Sequence, residues 1–307
     1  MASSFVLFLI LPIHFIICSE FDPSAHRGWH LINDRKCGIR NQLKVFGGEN
    51  AAIGEFPWAA QFITTKNKDS SSSMCTAAII SDQFVLLAAH CQPKEPYTSV
   101  VVAGNVDMNQ DSDCGSRTNN CAPPKKTYQV ERFFHPDDVF YKDIGLVKIK
   151  GRLKFNDFVA PICLEYGELL SKDYAGTEAE FAGWAAYKID PVTNTTSGPS
   201  LLQKFTVPVQ NESVCIESMH VIVRNTTSWQ KDRKSFICAG SRPDQDISSE
   251  DSGGVLAVAQ SVAGDIPRFF AVGVAAMHSE VPSIADVYTR VAYYMEWIMD
   301  TIANETV

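Results

Sequence analysis

Leu86-Leu87-Ala88-Ala89-His90-Cys91 places a histidine and a cysteine directly at the end of a short apolar run. A run of this length reads as a buried strand, and a disulfide at the cysteine would hold the imidazole's backbone still. Outward from it, short apolar runs recur at Ala77 to Ile80, Ser99 to Ala103 and Gly145 to Ile149. Turn-rich segments separate them, with Ser70 to Ser73 and Asp111 to Pro124 as the evident loops, and no repeat of fixed period is visible. The pattern predicts an all-β domain, a sandwich or a barrel. Only the end differs in kind: between Tyr288 and Ile302, the residues Val291, Tyr294, Met295, Trp297, Ile298 and Ile302 recur at helical spacing, which predicts a C-terminal helix packed on the β domain.

The chain has 307 residues, with 27 Lys and Arg against 35 Asp and Glu for a net charge of −8, and is 45% hydrophobic. Apolar content of this size supplies a core and excludes a disordered chain. The acidic balance leaves no basic stripe to neutralise phosphates, so nucleic acid is not an expected partner. The length fits one large or two small domains.

Residues 5 to 18 form the only long apolar run, interrupted by Pro12 and His14 and too short to span a bilayer comfortably. Residues 1–19 therefore read as a signal peptide, without Lys or Arg in its flank, and the expectation is an exported chain with no membrane anchor. Removing it takes Cys18 away and leaves eight cysteines of the original nine: Cys37, Cys75, Cys91, Cys114, Cys121, Cys163, Cys215 and Cys238. An even number in an exported chain predicts four disulfides, but spacing alone cannot choose among the 105 pairings, and paired Cys-x-x-Cys motifs of a zinc framework are missing. Sequons at Asn194, Asn211, Asn225 and Asn304 suit a glycosylated secreted protein. Residues 20 to 44 are polar, show no sustained period and read as a tether.

Three stretches carry chemistry. His90 ends the strand already quoted, Asp143-Ile144-Gly145-Leu146-Val147 puts a carboxylate before a buried strand, and Glu250-Asp251-Ser252-Gly253-Gly254 puts a serine in a glycine-rich turn. Each alone is weak, since a lone histidine, a strand-capping aspartate and a Ser-Gly-Gly turn are all commonly structural. Together, in the order His, Asp, Ser with intervals of 53 and 109 residues, they supply a general base, an orienting acid and a nucleophile. A serine hydroxyl needs an imidazole to take its proton and a buried carboxylate to fix the tautomer.

On these residues the sequence resembles the chymotrypsin-like serine proteases over about residues 37 to 302. Lys44-Val45-Phe46-Gly47-Gly48 is similar to the family's activation junction, Gly54-Glu55-Phe56-Pro57-Trp58 to its first-strand motif, Ala182-Gly183-Trp184 to its mid-domain turn, and Tyr288-Thr289-Arg290-Val291 to its closing strand. Asp113-Cys114 and Cys121-Ala122-Pro123-Pro124 resemble an extra disulfide loop of arthropod clip-domain proteases, although residues 20 to 44 carry one cysteine where a clip domain needs six. The resemblance implies two six-stranded antiparallel β-barrels with a C-terminal helix, formed by residues 45–307. It implies disulfides Cys37–Cys163, Cys75–Cys91, Cys114–Cys121 and Cys215–Cys238, the first tethering a propeptide of residues 20–44. It further implies cleavage after Lys44 by a trypsin-like protease, after which the new amine of Val45 inserts beside Asp251 and organises the oxyanion site, a charge pair that can form only after proteolysis.

The pattern also breaks. Glu250 stands where the family has a glycine whose backbone N–H helps form the oxyanion hole, and losing one such donor costs about 2.7–4 kcal/mol. Ser248 and the segment from Met277 to Ser283 lack the two cysteines that pin the walls of the specificity pocket. Ala276-Met277-His278 replaces a Ser-Trp-Gly-like stretch, and Asp286 stands where a glycine leaves the pocket open, so a narrowed or closed pocket is expected. Asp246, six residues before Ser252, matches the position at the pocket base that attracts Arg or Lys; the alternative is a solvated aspartate in the acidic segment Pro243-Asp244-Gln245-Asp246.

Two functions follow. The first is a secreted serine endopeptidase made as a zymogen, weakened by Glu250, acting on protein substrates after Arg or Lys and meeting serpin-type inhibitors. The second is a non-catalytic homologue acting as a cofactor or decoy in an extracellular proteolytic cascade. An α/β-hydrolase is excluded by the missing Gly-x-Ser-x-Gly and the triad order. No cofactor or metal is expected.

Overall fold

The computed structural model describes residues 21–32, 36–40, 50–66, 72–94, 97–114, 121–184, 188–189, 196–197, 200–223, 232–240, 252–262, 264–279, 281 and 284–306. Six strands, β1 (Ala59–Lys66), β2 (Ser72–Ile79), β3 (Phe84–Leu87), β4 (Tyr97–Ala103), β5 (Lys126–Phe134) and β6 (Gly145–Ile149), close into an antiparallel barrel in the order β1-β2-β3-β6-β5-β4. Alternation along β3 explains the packing: Val85 and Leu87 point into the barrel with Phe62, Ile79, Val101 and Val147, while Phe84 and Leu86 point outward. Because both faces are buried, β3 carries no polar residue at all.

The second half contains β7 (Cys163–Leu164), β8 (Glu178–Gly183), the small hairpin β9 (Lys188–Ile189) and β10 (Thr196–Ser197), β11 (Gln203–Pro208), helix α1 (Glu212–Ile222), β12 (Phe236–Ala239), β13 (Val255–Gln260), β14 (Arg268–Met277), β15 (Asp286–Arg290) and helix α2 (Met295–Glu305). Six of these strands run β11-β8-β13-β14-β15-β12. Among the described residues the two edges meet at a single bridge between Val209 and Ala239, where Gly240 N donates to Pro208 O at 3.1 Å and Gln210 N to Cys238 O at 2.8 Å. The first barrel is thus fully closed and the second is a half-barrel seamed at one point. The two-residue strand β7 adds a parallel partner to β14, pairing Cys163 with Phe270.

The C-terminal helix begins at Met295, after a 3₁₀ turn at Val291–Tyr294, so Tyr288 to Arg290 belong to the last strand. Met295, Ile298, Met299, Ile302 and Ala303 are all buried at 0, 3, 4, 7 and 8 spacing, the stripe of an amphipathic helix. Met295, Ile298, Met299 and Ile302 join one cluster with the outward residues Phe84 and Leu86 and with Ile144 and Leu146, so the helix that ends the second half props the outer wall of the first.

Residues 21 to 32 are more than a polar tether. They form 3₁₀ turns at Pro23–Ala25 and Trp29–Leu31, whose short pitch hides any sustained period, and Ile32 is buried in the cluster holding α2. His26 Nε2 lies 3.2 Å from Asp300 Oδ1, Arg27 donates to Asn304 Oδ1, and a Cβ on Gly28 would come within 3.1 Å of Ala303 Cβ. Helix α1 was not indicated by periodicity either. Asn211 caps it, its Oδ1 accepting from Val214 N at 3.0 Å, and the cap coincides with a sequon.

All four disulfides are formed: Cys37–Cys163, Cys75–Cys91, Cys114–Cys121 and Cys215–Cys238. The Cys75–Cys91 link ties the turn after β3 to β2, at the place where chemistry is expected.

Candidate active site

His90 sits in the 3₁₀ turn Ala89–Cys91 immediately after β3, and Asp143 lies two residues before β6, the partner of β3. Pairing Leu87 with Gly145 therefore brings the two side chains to one end of the barrel. Asp143 holds the histidine twice, Oδ1 accepting from His90 N at 2.9 Å and Oδ2 lying 2.6 Å from His90 Nδ1. With Nδ1–H donated to the carboxylate, Nε2 is left as the basic nitrogen. The carboxylate is 5% exposed, and Thr289 Oγ1 donates to its backbone carbonyl at 2.8 Å, tying it to β15. Burial alone would lower the His90 pKa, but the hydrogen bond and the charge of Asp143 outweigh it and hold it above the ordinary value of 6.5.

Ser252 is positioned by backbone. Its carbonyl accepts from Thr76 N of β2 at 3.1 Å, Cys91 Sγ lies 4.0 Å from the same oxygen, and the following Gly253 N donates to Ala275 O of β14 at 3.1 Å. Ala275 N in turn donates to Gly254 O at 2.8 Å. Gly253 adopts φ +84°, and a Cβ there would fall 2.5 Å from Thr76 O and 3.1 Å from Ala88 N. Only glycine lets the serine turn press against the root of the His90 turn. The serine is thereby pinned at the seam of the two halves, beside the disulfide that anchors the histidine.

Among the described residues one group of potential metal ligands clusters, Cys75, His90 and Cys91, with ligand atoms within 4.8 Å of one another. Both sulfurs are consumed in a disulfide, so no thiolate is offered and the group does not fit a metal.

A trypsin family model matches residues 45–298, which span all three site residues and both sheets. The chain belongs to the trypsin family. Similar curated proteins come from insects: phenoloxidase-activating factor 3 of Holotrichia diomphalia is 30% identical over 282 residues, covering 87% of this chain and 75% of the relative. Serine protease ea of Drosophila melanogaster is 29% identical over 290 residues (88% and 70%), and the Spaetzle-processing enzyme of the same organism is 28% identical over 307 residues (92% and 73%). The fold is that of the Drosophila Grass clip serine protease of the Toll pathway, with a TM-score of 0.70 at 23% identity over 90% of this chain and 77% of the other.

Within this trypsin-family frame, Lys44, Val45, Asp246, Ser248, Glu250 and Asp251 lie outside the described residues, as do Asn194 and Asn225. His278 and Asp286 are described, and sequence reasoning did not foresee that they are partners: His278 Nδ1 lies 2.9 Å from Asp286 Oδ1, which also accepts from Ser279 N at 3.1 Å. Asp286 is buried, and its other oxygen faces Gly240, 3.8 Å from where a Cβ would stand. The signal was a histidine and an aspartate eight residues apart, one just past the end of β14 and the other opening β15, which sequence alone cannot bring together.

Glu165, just after β7, is another buried charge. Arg290 Nη2 donates to its Oε1 at 2.8 Å, and the Tyr174 hydroxyl donates to the same oxygen at 2.9 Å. Burial pushes the Glu165 carboxyl up, against the charge of Arg290, and the group serves the fold rather than the site.

Proposed function

We propose that the chain is a serine endopeptidase that cleaves protein substrates after activation. The observation carrying this reading is His90 oriented by Asp143 at 2.6 Å, beside a Ser252 turn held by Thr76 and Ala275. In this mechanism Ser252 Oγ attacks the scissile carbonyl while His90 Nε2 takes its proton. The imidazolium, stabilised by Asp143, then returns the proton to the leaving amine, and water hydrolyses the acyl-enzyme by the same base. Residues 1–19 act as a signal peptide, 20–44 as a propeptide retained by Cys37–Cys163, and 45–307 as the protease. A trypsin-like enzyme cuts after Lys44, and the amine of Val45 pairs with Asp251. The product is extracellular, glycosylated at the sequons, and inhibited by serpin-type proteins. Asp246 draws Arg or Lys, and Glu250 weakens oxyanion stabilisation.

A second reading, a non-catalytic cascade cofactor, is favoured by one specific observation, the His278–Asp286 pair in the segment matched to the pocket wall. The deciding experiment cuts the chain after Lys44 and treats it with a serine-directed phosphonate. Covalent labelling of Ser252 supports the enzyme, and its absence in a fully cut, folded chain supports the cofactor.

A further inference from the structure

On the first barrel lies a cavity of about 230 Å3, lined by Pro123, Tyr128, Phe155 and Phe158 and rimmed by Lys126 and Lys154. We propose that it is a docking site for an acidic peptide segment that inserts one aromatic or large aliphatic side chain between these rings.

The cations come from two stretches distant in sequence. Residues 121–128 hold Lys125 and Lys126, and residues 150–159 hold Lys150, Arg152 and Lys154 against a single carboxylate, Asp157, in a chain of net charge −8. Pairing of Val130 with Ile149 and the bond from Lys150 N to Gln129 O bring the two stretches together. Two of the five cations are occupied, Arg152 with Asp82 at 2.6 Å and Lys125 with Met108 O at 2.8 Å. Lys126, Lys150 and Lys154 are exposed and form no ion pair among the described residues. Their field therefore points outward and suits a carboxylate-rich partner.

The floor of the site argues for a peptide over a uniform polyanion. The cavity is smaller than the roughly 300–1,000 Å3 of small-ligand pockets, a size suited to one side chain. Its walls combine aromatic and proline side chains with Leu153 and Val159, aromatics being surfaces that anchor interface hot spots, and the Lys154 backbone hydrogen-bonds to the Tyr128 hydroxyl and so fixes one wall before binding. Phe155 is 39% exposed at the lip. The site is separate from the triad: β6 leads from Gly145, next to Asp143, to Ile149, and the rim residues begin beyond that far end.

The test is fluorescence anisotropy of the full chain with a fluorescein-labelled probe of sequence Gly-Glu-Asp-Phe-Asp-Glu-Gly, which contains no Lys or Arg and does not require an active enzyme. It is therefore independent of the proposed activity. The expected result is saturable binding, weakened about tenfold or more by the K126E/K154E double variant, by replacing the probe's Phe with Gly, and by raising salt. Circular dichroism checks that the variants, all at exposed positions, remain folded, and Phe155→Ser provides an uncharged control expected to weaken binding as well. No saturable binding, or binding untouched by K126E/K154E, overturns the proposal. So does a sulfated hexasaccharide that outcompetes the probe and is indifferent to Phe155→Ser, because that outcome assigns the cations to a polysaccharide.

Discussion

His278 Nδ1 and Asp286 Oδ1 stand 2.9 Å apart, joining the end of β14 to the start of β15 just beyond the residues that hold the serine turn. Ala275 bonds to both Gly253 and Gly254, and His278 is three residues further on, about 10 Å at strand spacing. In the proposed protease the pair stands in the path of a substrate side chain entering the pocket beside Ser252. His278→Gly should therefore open the pocket and raise kcat/KM for a small Arg or Lys ester about tenfold or more in the cleaved chain. An unchanged ratio would locate the pair outside the substrate's path.

The pH response of His90 has opposite consequences for activity and for stability. Its raised pKa means that the base becomes neutral only as pH rises above 6.5, so the acidic limb of kcat/KM should lie above that of a free imidazole. Protonated His90 bonded to Asp143 stabilises the fold below the unfolded pKa, and that contribution is lost as pH rises through the folded one. Asp143→Asn should move the limb to lower pH and cut kcat by about 10⁴-fold. A pH–rate profile of both proteins measures the limb and the loss together.

Glu250→Gly should raise turnover of the same ester by roughly 10²-fold, acting on kcat more than on KM, because the restored donor acts on charge that develops in the transition state. If turnover stays absent and Ser252 stays unlabelled, the His278–Asp286 wall is the block.

Activation should depend on the new amine of Val45. Lys44→Gln should leave a folded, uncut chain that labels with the phosphonate far more slowly than the processed one, and equal labelling rates would sink the zymogen reading.

Arg290→Met should strand the Glu165 carboxylate in the interior and destabilise the chain by about 3–5 kcal/mol, read as a fall in the unfolding midpoint. The paired variant Arg290→Met with Glu165→Leu should recover much of the loss, since the unpaired charge causes it.

Much of this was legible in the linear chain because its signals are local. His90 beside Cys91, Asp143 before a strand and Ser252 among glycines each announce themselves within six residues, and the apolar stripe of α2 repeats at helical period. What escaped depends on register or on weak patterning. The exposed lysines Lys126, Lys150 and Lys154 of the first barrel come from segments over twenty residues apart, so a chain-wide charge of −8 conceals them. Helix α1 mixes its apolar residues around the axis, leaving Val221 46% exposed, and its cap had been read only as a sequon. The seam of the second sheet is one bridge, and no short segment encodes it.

Strand β15 has a consequence for how this protein can change. Asp286 pairs with His278, Thr289 grips the carbonyl of Asp143, and Arg290 is riveted to Glu165, all within five consecutive residues. An extended strand has no slack along its length. Sliding it would pull on the backbone of Asp143, which orients His90, and unseat a buried ion pair. Exchanging the side chains at 278 and 286 leaves this rail in place, whereas a shift of its backbone disturbs all three attachments at once.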